Sequence, residues 1–436
     1  MAAARDGPIR GSEARRPLQN PDLTPGLAAR KAAVRLLHGV LVLGRPLDGL
    51  LDGAAAGLLP ADRALARALA SGALRHLAGL DGLIDSATAR PLPADARARH
   101  VLRVALAGHV LLGTPPHATI STALGQLEGG PRRLVHGVLG TLLRQGATVP
   151  TPVVPPPWAD RWAKAWGPAE VEAAAQRLAE IPPTDLTLRN PDTTADWCAR
   201  LGGTSLMEGH VRLPGSRLVE TLEGFGTGAW WVQDVAASLP ARLLGEVRGL
   251  DVLDLCAAPG GKTLQLAAAG ARVTALDSNG RRLRRLRANL ERTGLSAAIV
   301  EADALLWEPK RAFDAILLDA PCSASGTFRR HPDLLYLKAA LDFAPLVTLQ
   351  KVLLARAAGW LKPGGRLVYA VCSLEPEEGE AVWAERPALL LEQPILESEL
   401  PAGLSPAGSA VRTRPALWGE AGGADGFFIA RGVRAS

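Results

Sequence analysis

Residues 253 to 263, Leu-Asp-Leu-Cys-Ala-Ala-Pro-Gly-Gly-Lys-Thr, decide the fold of this chain. The stretch from Leu250 to Cys256 is typical of a buried strand, and it leads into a Gly-rich turn and then a helix. Gly260 and Gly261 let the backbone approach a ligand closely, and the start of the helix offers free N–H groups. The segment therefore predicts a ligand site where a strand passes into a helix.

Two common phosphate-binding motifs do not fit this turn. A P-loop needs a glycine five positions before the Gly261-Lys262-Thr263 triplet, and that position is Cys256. The dinucleotide fingerprint fails as well, because no Gly-x-Gly-x-x-Gly occurs in the turn. A P-loop nucleoside triphosphatase is thereby excluded, and a nicotinamide dinucleotide is disfavoured.

Strand and helix patterns alternate after residue 249, with helices predicted at Arg281 to Arg292 and Pro345 to Leu361. This alternation indicates an α/β fold with a doubly wound parallel sheet. The further strand candidates are Arg272 to Leu276, Ala297 to Glu301, Phe313 to Asp319, Arg366 to Cys372 and Gly426 to Arg431. The carboxyl ends of parallel strands meet at one edge of a sheet, where ligands bind. That edge is predicted to carry Cys256, Asp277, Asp303, Asp319 and Cys372.

The acidic residues at this edge indicate the ligand. Asp277 ends the second predicted strand, where a carboxylate can accept both hydroxyls of a ribose; the alternative for Asp277 alone is a helix N-cap. Asp303 follows the third strand and could accept a hydrogen bond from an adenine amino group. An acid on the ribose, an acid near the base and no phosphate cradle fit S-adenosyl-methionine better than NAD.

Five linked stretches resemble the motifs of the Nop/Sun RNA cytosine methyltransferase family in order and spacing over Gly249 to Arg431. They are Asp254 to Thr263, Asp319-Ala-Pro-Cys-Ser323, Arg329-Arg-His-Pro-Asp333, Leu361-Lys-Pro-Gly-Gly365 and Cys372-Ser-Leu-Glu-Pro-Glu-Glu378. Val232-Gln-Asp234 and Asp425-Gly-Phe-Phe428 are similar to the family too. The resemblance implies a class I (Rossmann-like) methyltransferase that uses S-adenosyl-methionine. Its implied cofactor contacts are Cys256, Ala257, Ala258, Pro259, Gly260, Gly261, Lys262, Asp277, Asp303 and Asp319.

The implied reaction explains why two cysteines end neighbouring strands. Carbon-5 of cytosine is a poor nucleophile, and a thiolate adding to carbon-6 turns the ring into an enamine that can accept a methyl group. An acid near ring nitrogen-3 must stabilise the adduct, and Asp319 is placed for that. Chemistry alone does not rank the thiols. The Pro-Cys pair of DNA cytosine methyltransferases favours Cys322, whereas the Nop/Sun resemblance implies that Cys372 attacks and Cys322 aids product release.

Several positions around the cysteines carry further expectations. Lys262 could supply the positive charge that a reactive thiolate needs. Val371 stands where the family usually has Thr, and Gly379 where it usually has Asn, which could weaken positioning of the thiol. Phosphate contacts are predicted at Arg329, Arg330 and His331, next to the active edge. Core packing is favoured over base stacking for Trp230-Trp231, and a solvated outer face is favoured for the arginines of Arg281 to Arg292.

The chain before this region predicts further domains. Residues 1–20 are expected to form a disordered tail, and residues 21–146 an all-helical domain of five or six helices. That domain resembles the NusB-type RNA-binding module, notably in Pro116-His-Ala-Thr-Ile-Ser-Thr-Ala-Leu124, although Val135-His-Gly-Val-Leu139 departs from it. A Pro-rich linker at 147–157 follows. Residues 158–244 are predicted as an intervening RNA-recognition segment, with a strand at Thr184 to Arg189 and a helix at Trp231 to Leu244, and residues 245–436 as the methyltransferase domain.

Composition limits the partners and the compartment. Arginine supplies 42 of the 49 basic residues, and the net charge of +6 weakly favours a polyanionic partner such as RNA. The combination of a NusB-like module with a Nop/Sun-type domain resembles the bacterial 16S rRNA cytosine methyltransferases, and this resemblance implies 16S rRNA as the substrate. The alternatives are tRNA or another RNA as the substrate, or a catalytically quiet assembly factor. Four cysteines without framework spacing indicate reduced thiols and a cytoplasmic protein. No metal and no membrane partner are expected, and the protein is predicted to be a monomer.

Overall fold

The computed structural model describes residues 24–149, 151–215 and 217–436. The predicted disordered tail, residues 1–20, lies outside the described residues. Within the described part of the chain, no helix is both long and apolar enough to cross a lipid bilayer.

The described residues up to 144 form an all-helical domain around one apolar core, which includes the fully buried Leu36, Leu74 and Leu139. It has seven helices rather than five or six, because the third and fourth helices are separated only by His76, without a Gly or Pro breaker between them. The helices are α1 (Leu27–Leu41), α2 (Leu47–Ala54), α3 (Pro60–Arg75), α4 (Leu77–Ser86), α5 (Arg97–Leu112), α6 (Pro116–Leu124) and α7 (Gly129–Arg144).

A smaller mixed segment follows, with three antiparallel strands in the order β2-β1-β3. Its elements are α8 (Pro156–Trp166), α9 (Pro168–Ala179), β1 (Thr184–Leu188), α10 (Thr194–Leu201), β2 (His210–Leu213), β3 (Trp230–Val232) and α11 (Val235–Arg242). The strand at Thr184 is confirmed. The helix predicted from Trp231 is wrong at its start, since Trp231 pairs with Thr187 in the sheet. The end of the Pro-rich stretch is packed rather than free, because Val154 is buried beside Trp158.

An eight-stranded sheet organises the rest of the chain, and its first five strands are parallel. The elements are β4 (Asp251–Leu255), α12 (Gly261–Ala268), β5 (Arg272–Asp277), α13 (Gly280–Thr293), β6 (Ala298–Glu301), β7 (Phe313–Asp319), α14 (Leu334–Leu337), α15 (Ala344–Trp360), β8 (Leu361–Val371), α16 (Glu380–Ala384), β9 (Leu390–Glu392), β10 (Ala410–Thr413) and β11 (Phe427–Arg434). The expectation of a parallel sheet is wrong at one end, because β11 runs antiparallel to β8, β9 and β10.

The strand order β10-β11-β8-β7-β4-β5-β6 places a topological switch point between β4 and β7. From β4 the chain builds outward to β5 and β6, and it then returns to build β7 and β8 on the other side. Ligands of open α/β sheets bind outside the carboxyl ends of the strands at such a point. Here the loops that leave β4 and β7 contain Cys256 and Cys322.

The helical domain packs directly on the loop segment that follows β7. Asp333 accepts a hydrogen bond from the backbone N–H of Leu47 at 2.9 Å, which caps the start of α2. The Tyr336 hydroxyl donates to the carbonyl of Leu74 at 2.8 Å, and Tyr336 packs against the helical core. The helical domain therefore contacts the chain shortly after Cys322.

Candidate active site

The turn after β4 is tight because two of its residues have left-handed backbone angles. Cys256 has a φ of 64° and Gly260 a φ of 109°. A Cβ at Gly260 would lie 2.3 Å from the Leu286 side chain of α13, so only glycine fits there. The sequence predicts that a ligand can approach the backbone closely at Gly260. The structure shows that the Leu286 side chain of α13 also packs closely against this glycine.

Asp277 holds this turn from the end of β5. Its Oδ2 accepts a hydrogen bond from the N–H of Ala258 at 3.1 Å, and its Oδ1 accepts one from the N–H of Asn279 at 2.8 Å. The N-cap of α13 is Asn279, so Asp277 itself does not cap the helix. Each carboxylate oxygen can accept a second hydrogen bond, and the residue therefore keeps acceptor capacity for ribose hydroxyls.

Asp303 lies in the turn after β6, as the strand pattern predicts. The residue is exposed, and its Oδ1 accepts a hydrogen bond from the N–H of Leu305 at 2.9 Å. Because β6 is the edge strand, Asp303 stands two strands from the turn at Cys256. Asp277 and Asp303 thus extend along the edge in the direction in which an adenosine would lie.

A buried lysine faces the switch point from the first turn of α12. The Lys262 Nζ donates a hydrogen bond to Asp319 Oδ2 at 2.8 Å and lies 5.3 Å from the centre of the Phe427 ring. Burial would lower the pKa of Lys262, but the charges of Asp319 and Cys372 outweigh it and raise that pKa. Lys262 therefore stays a cation beside both residues.

The two cysteines meet at the ends of β7 and β8. The Sγ atoms of Cys322 and Cys372 are 3.4 Å apart, and both thiols are free and partly exposed. The hydrogen bond between Cys322 and Cys372, together with burial, raises the pKa of Cys322 well above its usual value. Cys322 thus retains its proton in the resting site.

A further acid, Asp254, is fully buried in β4, the strand that precedes the Gly-rich turn. Its Oδ2 accepts a hydrogen bond from the Thr263 hydroxyl at 2.5 Å. Its Oδ1 has no hydrogen-bond partner among the described residues. Burial raises the pKa of Asp254 to about 7, although the Thr263 hydrogen bond opposes that shift. An unpaired acceptor at this depth fits a site that completes its hydrogen bonds with a ligand.

The prediction of a phosphate contact at Arg329 does not fit its environment. Arg329 is 1% exposed, and its guanidinium forms ion pairs of 2.8 Å with both Asp234 and Asp425. Arg330 joins the same acids and also approaches Asp185, which lies in β1. These five residues form a buried arginine network that links the intervening segment to the middle and to the C-terminal part of the methyltransferase domain. Arg329 consequently has no exposed donor for RNA.

The side chains of Arg330 and His331 are partly exposed to solvent. The Arg330 side chain is 23% exposed but directs its charge into the arginine network. His331 is 43% exposed, with its Nδ1 3.6 Å from Asp48 of α2. Of the three predicted phosphate contacts, His331 is the one that faces solvent. Trp230 and Trp231 are both buried, which confirms the interpretation as core residues.

The two departures from the family pattern lie in tight packing. Val371 is fully buried in an apolar cluster that includes Phe428. A Cβ at Gly379 would lie 2.5 Å from Arg412 and 2.7 Å from Phe428. Arg412 in turn donates to the carbonyl of Ser373 at 2.7 Å. The glycine thus makes room for an arginine that anchors the residue after Cys372.

Sequence reasoning did not assign a role to Glu378, although the residue ends a quoted motif. Glu378 is fully buried, and its carboxylate accepts hydrogen bonds from the hydroxyls of Ser323 and Ser373. The sequence places Glu378 in the motif that begins at Cys372, but its burial and its serine partners become visible only in the fold. Within residues 24–149, 151–215 and 217–436, no group of three or more His, Cys, Asp or Glu side chains could hold a metal ion.

A Gly-rich turn at the switch point, acids at the ends of the two strands beyond it and two thiols on the other side define an S-adenosyl-methionine-dependent methyltransferase. Comparisons with known proteins specify the family. The family described as "16S rRNA methyltransferase RsmB/F" matches residues 242–432, and the NusB family matches residues 27–144. The "Ribosomal RNA small subunit methyltransferase B" of Klebsiella pneumoniae subsp. pneumoniae is 35% identical over 93% of this chain and 98% of that protein. The chain therefore belongs to the RsmB/F family of 16S rRNA methyltransferases.

Solved structures agree with the fold. The crystal structure of PH0851 covers 93% of this chain and 98% of its own, with a TM-score of 0.73 at 20% identity. A methyltransferase homologue from Pyrococcus horikoshii covers 68% of this chain and 98% of its own, with a TM-score of 0.52 at 28% identity. The NusB-like helical domain and the Rossmann-like methyltransferase domain that the sequence predicts are thus confirmed.

Proposed function

We propose that this protein methylates carbon-5 of a cytosine in 16S rRNA through a covalent adduct on Cys372. The observation that carries the proposal is the 3.4 Å contact between the sulfur atoms of Cys322 and Cys372 beside the ion pair of Lys262 and Asp319. One thiol next to a cation and a second thiol next to the first match the needs of attack and release at a pyrimidine ring.

The attack begins with the Cys372 thiolate, whose charge is balanced by Lys262. The thiolate adds to carbon-6 of the base, and the electron pair of the carbon-5–carbon-6 double bond becomes available at carbon-5. S-adenosyl-methionine, when bound, supplies an electrophilic methyl group on a sulfonium. The proton that Cys372 gives up can reach nitrogen-3 through Asp319, whose Oδ2 accepts a hydrogen bond from Lys262 at 2.8 Å, so that the ring becomes a neutral enamine.

Release needs a base for the proton at carbon-5, and Cys322 acquires that role during the reaction. The hydrogen bond and charge of Cys372 hold the pKa of Cys322 high in the resting site. Once Cys372 is a neutral thioether, these contributions vanish and Cys322 can lose its proton to solvent. The Cys322 thiolate then takes the carbon-5 proton, the double bond re-forms, and Cys372 leaves as a thiolate.

The cofactor would be held by the turn from Cys256 to Lys262 and by the strand-end acids. Asp277 has acceptor capacity for the ribose hydroxyls, and Asp303 is exposed where it can accept from the adenine amino group. Gly260 and Gly261 carry no side chain that would fill the space above the turn.

Separate alanine substitutions of the cysteines test the mechanism. Cys322→Ala should accumulate a covalent protein–RNA adduct that survives denaturing gel electrophoresis, because attack proceeds and release fails. Cys372→Ala should form none, and Cys198→Ala, on α10, serves as the control that turns over like the unmodified protein. The reverse pattern would exchange the roles of the two thiols.

Bisulfite sequencing tests the substrate. A deletion strain should lose one methylated cytosine from its 16S rRNA and regain it on complementation. Loss of a mark from tRNA instead would redirect the proposal to another RNA, and loss of no cytosine mark would leave a catalytically quiet rRNA-binding factor. RNA recognition by residues 158–244, a monomeric state and a cytoplasmic location remain predictions.

A further inference from the structure

One carboxylate connects the loops that carry the two cysteines. Glu378 Oε1 accepts hydrogen bonds from the N–H of Ser323 at 2.8 Å and from Gln350 Nε2 at 3.0 Å. Its Oε2 accepts from the hydroxyls of Ser323 at 2.5 Å and Ser373 at 2.6 Å. Four donors on one buried carboxylate give charge-assisted hydrogen bonds, which are shorter and stronger than neutral ones.

The two serines are the residues that directly follow the cysteines. Ser323 follows Cys322 at the end of β7, and Ser373 follows Cys372 at the end of β8. Their hydroxyl oxygens are 3.1 Å apart, so the serines meet just as the thiols do. A carboxylate that binds both serines fixes the distance between the two loops, and with it the distance between the sulfur atoms.

The surrounding contacts keep this carboxylate in place. The carbonyl of Glu378 accepts a hydrogen bond from the Tyr369 hydroxyl at 2.5 Å. On the opposite side of the loop after β7, Lys338 Nζ donates to the carbonyls of Cys322 and Ser323. The Cys322 loop is therefore held from both sides by charged groups, whereas a mobile loop would let the thiols separate.

We propose that Glu378 is a positioning residue whose carboxylate, by binding Ser323 and Ser373 together, sets the spacing of the two thiols that attack and release require. The proposal rests on the proposed function for its catalytic meaning. Its structural content, a carboxylate that controls the sulfur–sulfur distance, can be measured on the free protein.

Two substitutions separate the reach of the side chain from its charge. Glu378→Asp keeps the negative charge but is one methylene shorter, so it cannot hold both serines at once. Glu378→Gln keeps the reach and removes the charge. Glu377→Asp is the matched control, because Glu377 is half exposed and pairs with Arg161 instead. If the role of Glu378 is to set the spacing of the thiols, disulfide formation and methylation should slow more in Glu378→Asp than in Glu378→Gln. Neither rate should change in the control.

Disulfide formation measures the spacing without RNA. Diamide takes two electrons and two protons from the two thiols, and the Cys322–Cys372 bond that forms is detected by mass spectrometry. We expect rapid formation in the unmodified protein and about tenfold slower formation in Glu378→Asp, since small displacements of reacting groups have large effects on rate. Equal rates in the two proteins, or no disulfide in the unmodified protein, would overturn the proposal.

Methylation kinetics give the second measurement. Glu378→Asp should lower kcat about 10- to 100-fold while the KM for RNA and the affinity for the cofactor stay the same, because only the thiol geometry changes. A fall in melting temperature together with weaker cofactor binding would instead indicate a purely structural role. If the unmodified protein methylates no cytosine, the proposed function fails while the disulfide rates still decide the role of Glu378.

Should Glu378→Asp not fold, Ser323→Ala and Ser373→Ala test the same contacts one at a time. Each substitution removes one hydroxyl that binds the carboxylate and leaves its other hydrogen bonds in place. Both variants should therefore fold, and disulfide formation should slow less in each than in Glu378→Asp. The fold by which disulfide formation slows in the double variant should not exceed the product of the two single-variant effects, because both hydroxyls act through one carboxylate. Unchanged rates in both single variants would also refute the proposal.

Discussion

The arginine network and the thiol site both include residues from the stretch of chain after β7, yet they use charge in opposite ways. In the network, every guanidinium and carboxylate meets an opposite charge, and Arg329 and Asp234 are almost completely buried. In the thiol site, Lys262 is paired with an aspartate that is 29% exposed, next to two partly exposed thiols. A charge that is paired on all sides stabilises the fold, whereas one with an open side can meet a substrate.

Among the substitutions that test this comparison, Arg329→Ala should have the largest effect. That effect should be on the free energy of unfolding. The substitution removes one of the two guanidinium groups that Asp234 and Asp425 share and leaves Arg330 as their remaining shared cation, which costs about 3–5 kcal/mol of unfolding free energy. Chemical denaturation of the variant measures this loss. A stable Arg329→Ala protein with weakened RNA affinity would restore the original interpretation of Arg329 as a phosphate contact.

Lys262→Met should produce the next largest effect, and here the effect should be on rate. The methionine fills the same space, but the Cys372 thiolate and Asp319 lose their cation, so kcat should fall about 100-fold or more. The unfolding free energy should change by less than in Arg329→Ala, since Asp319 is 29% exposed and water can reach its carboxylate. Loss of stability without loss of rate would place Lys262 with the structural charges.

Changes of pH should act on the two regions in opposite directions. The pKa of Asp185 in the network is lowered by Arg212 and Arg330 against the cost of burial, so its contribution to stability is lost as pH falls through the carboxyl range. The pKa of Asp254 is raised by burial from 3.8 to about 7. Its contribution is therefore complete below pH 3.8 and is lost as pH rises through about 7.

Asp254→Asn tests this second direction. Between pH 6 and pH 8 the unmodified protein should lose about 1 kcal/mol of unfolding free energy from Asp254, and the asparagine variant should not. Denaturation curves at both pH values, without cofactor, measure the difference. An identical pH dependence in the two proteins would show that Asp254 is ionised throughout this range.

His331→Ala should have the smallest effect. A single exposed side chain beside Asp48 contributes at most about 1 kcal/mol to RNA binding, so the affinity should fall by only a few fold. Filter binding at two salt concentrations measures it. Lys31→Ala, on the helical domain, gives a surface cation of similar exposure for comparison.

The cofactor side of the site could be predicted from the sequence because each of its residues follows a strand with a clear pattern. The predicted ends of β4, β5, β6 and β7 agree with the structure to within one or two residues, and the positions of the acids at 277, 303 and 319 follow from the last three of these strands. Local patterns of this kind depend on a few neighbouring residues and on the rule that parallel strands share an edge.

The remaining features depend on contacts between distant parts of the chain. The sequence predicts a phosphate contact at Arg329, and it does not reveal the burial of this residue because the partner acids, Asp234 and Asp425, lie far away in the sequence. The strands β9 and β10 have only three and four residues, which is too short for a periodic pattern. The hydrogen bonds between Glu378 and the two serines likewise become visible only in the fold, although both motifs can be read in the sequence.

The hydrogen bonds of Asp333 and Tyr336 to the helical domain have a consequence for how this protein can be divided. A cut after residue 146 would uncover the Tyr336 ring and remove the donor that Asp333 binds. The same short segment contains Lys338, which holds the backbone at Cys322. The helical domain is thus packed on the segment that supports Cys322, and exchanging it for the equivalent domain of a relative would require residues 328–338 of that relative to be exchanged with it.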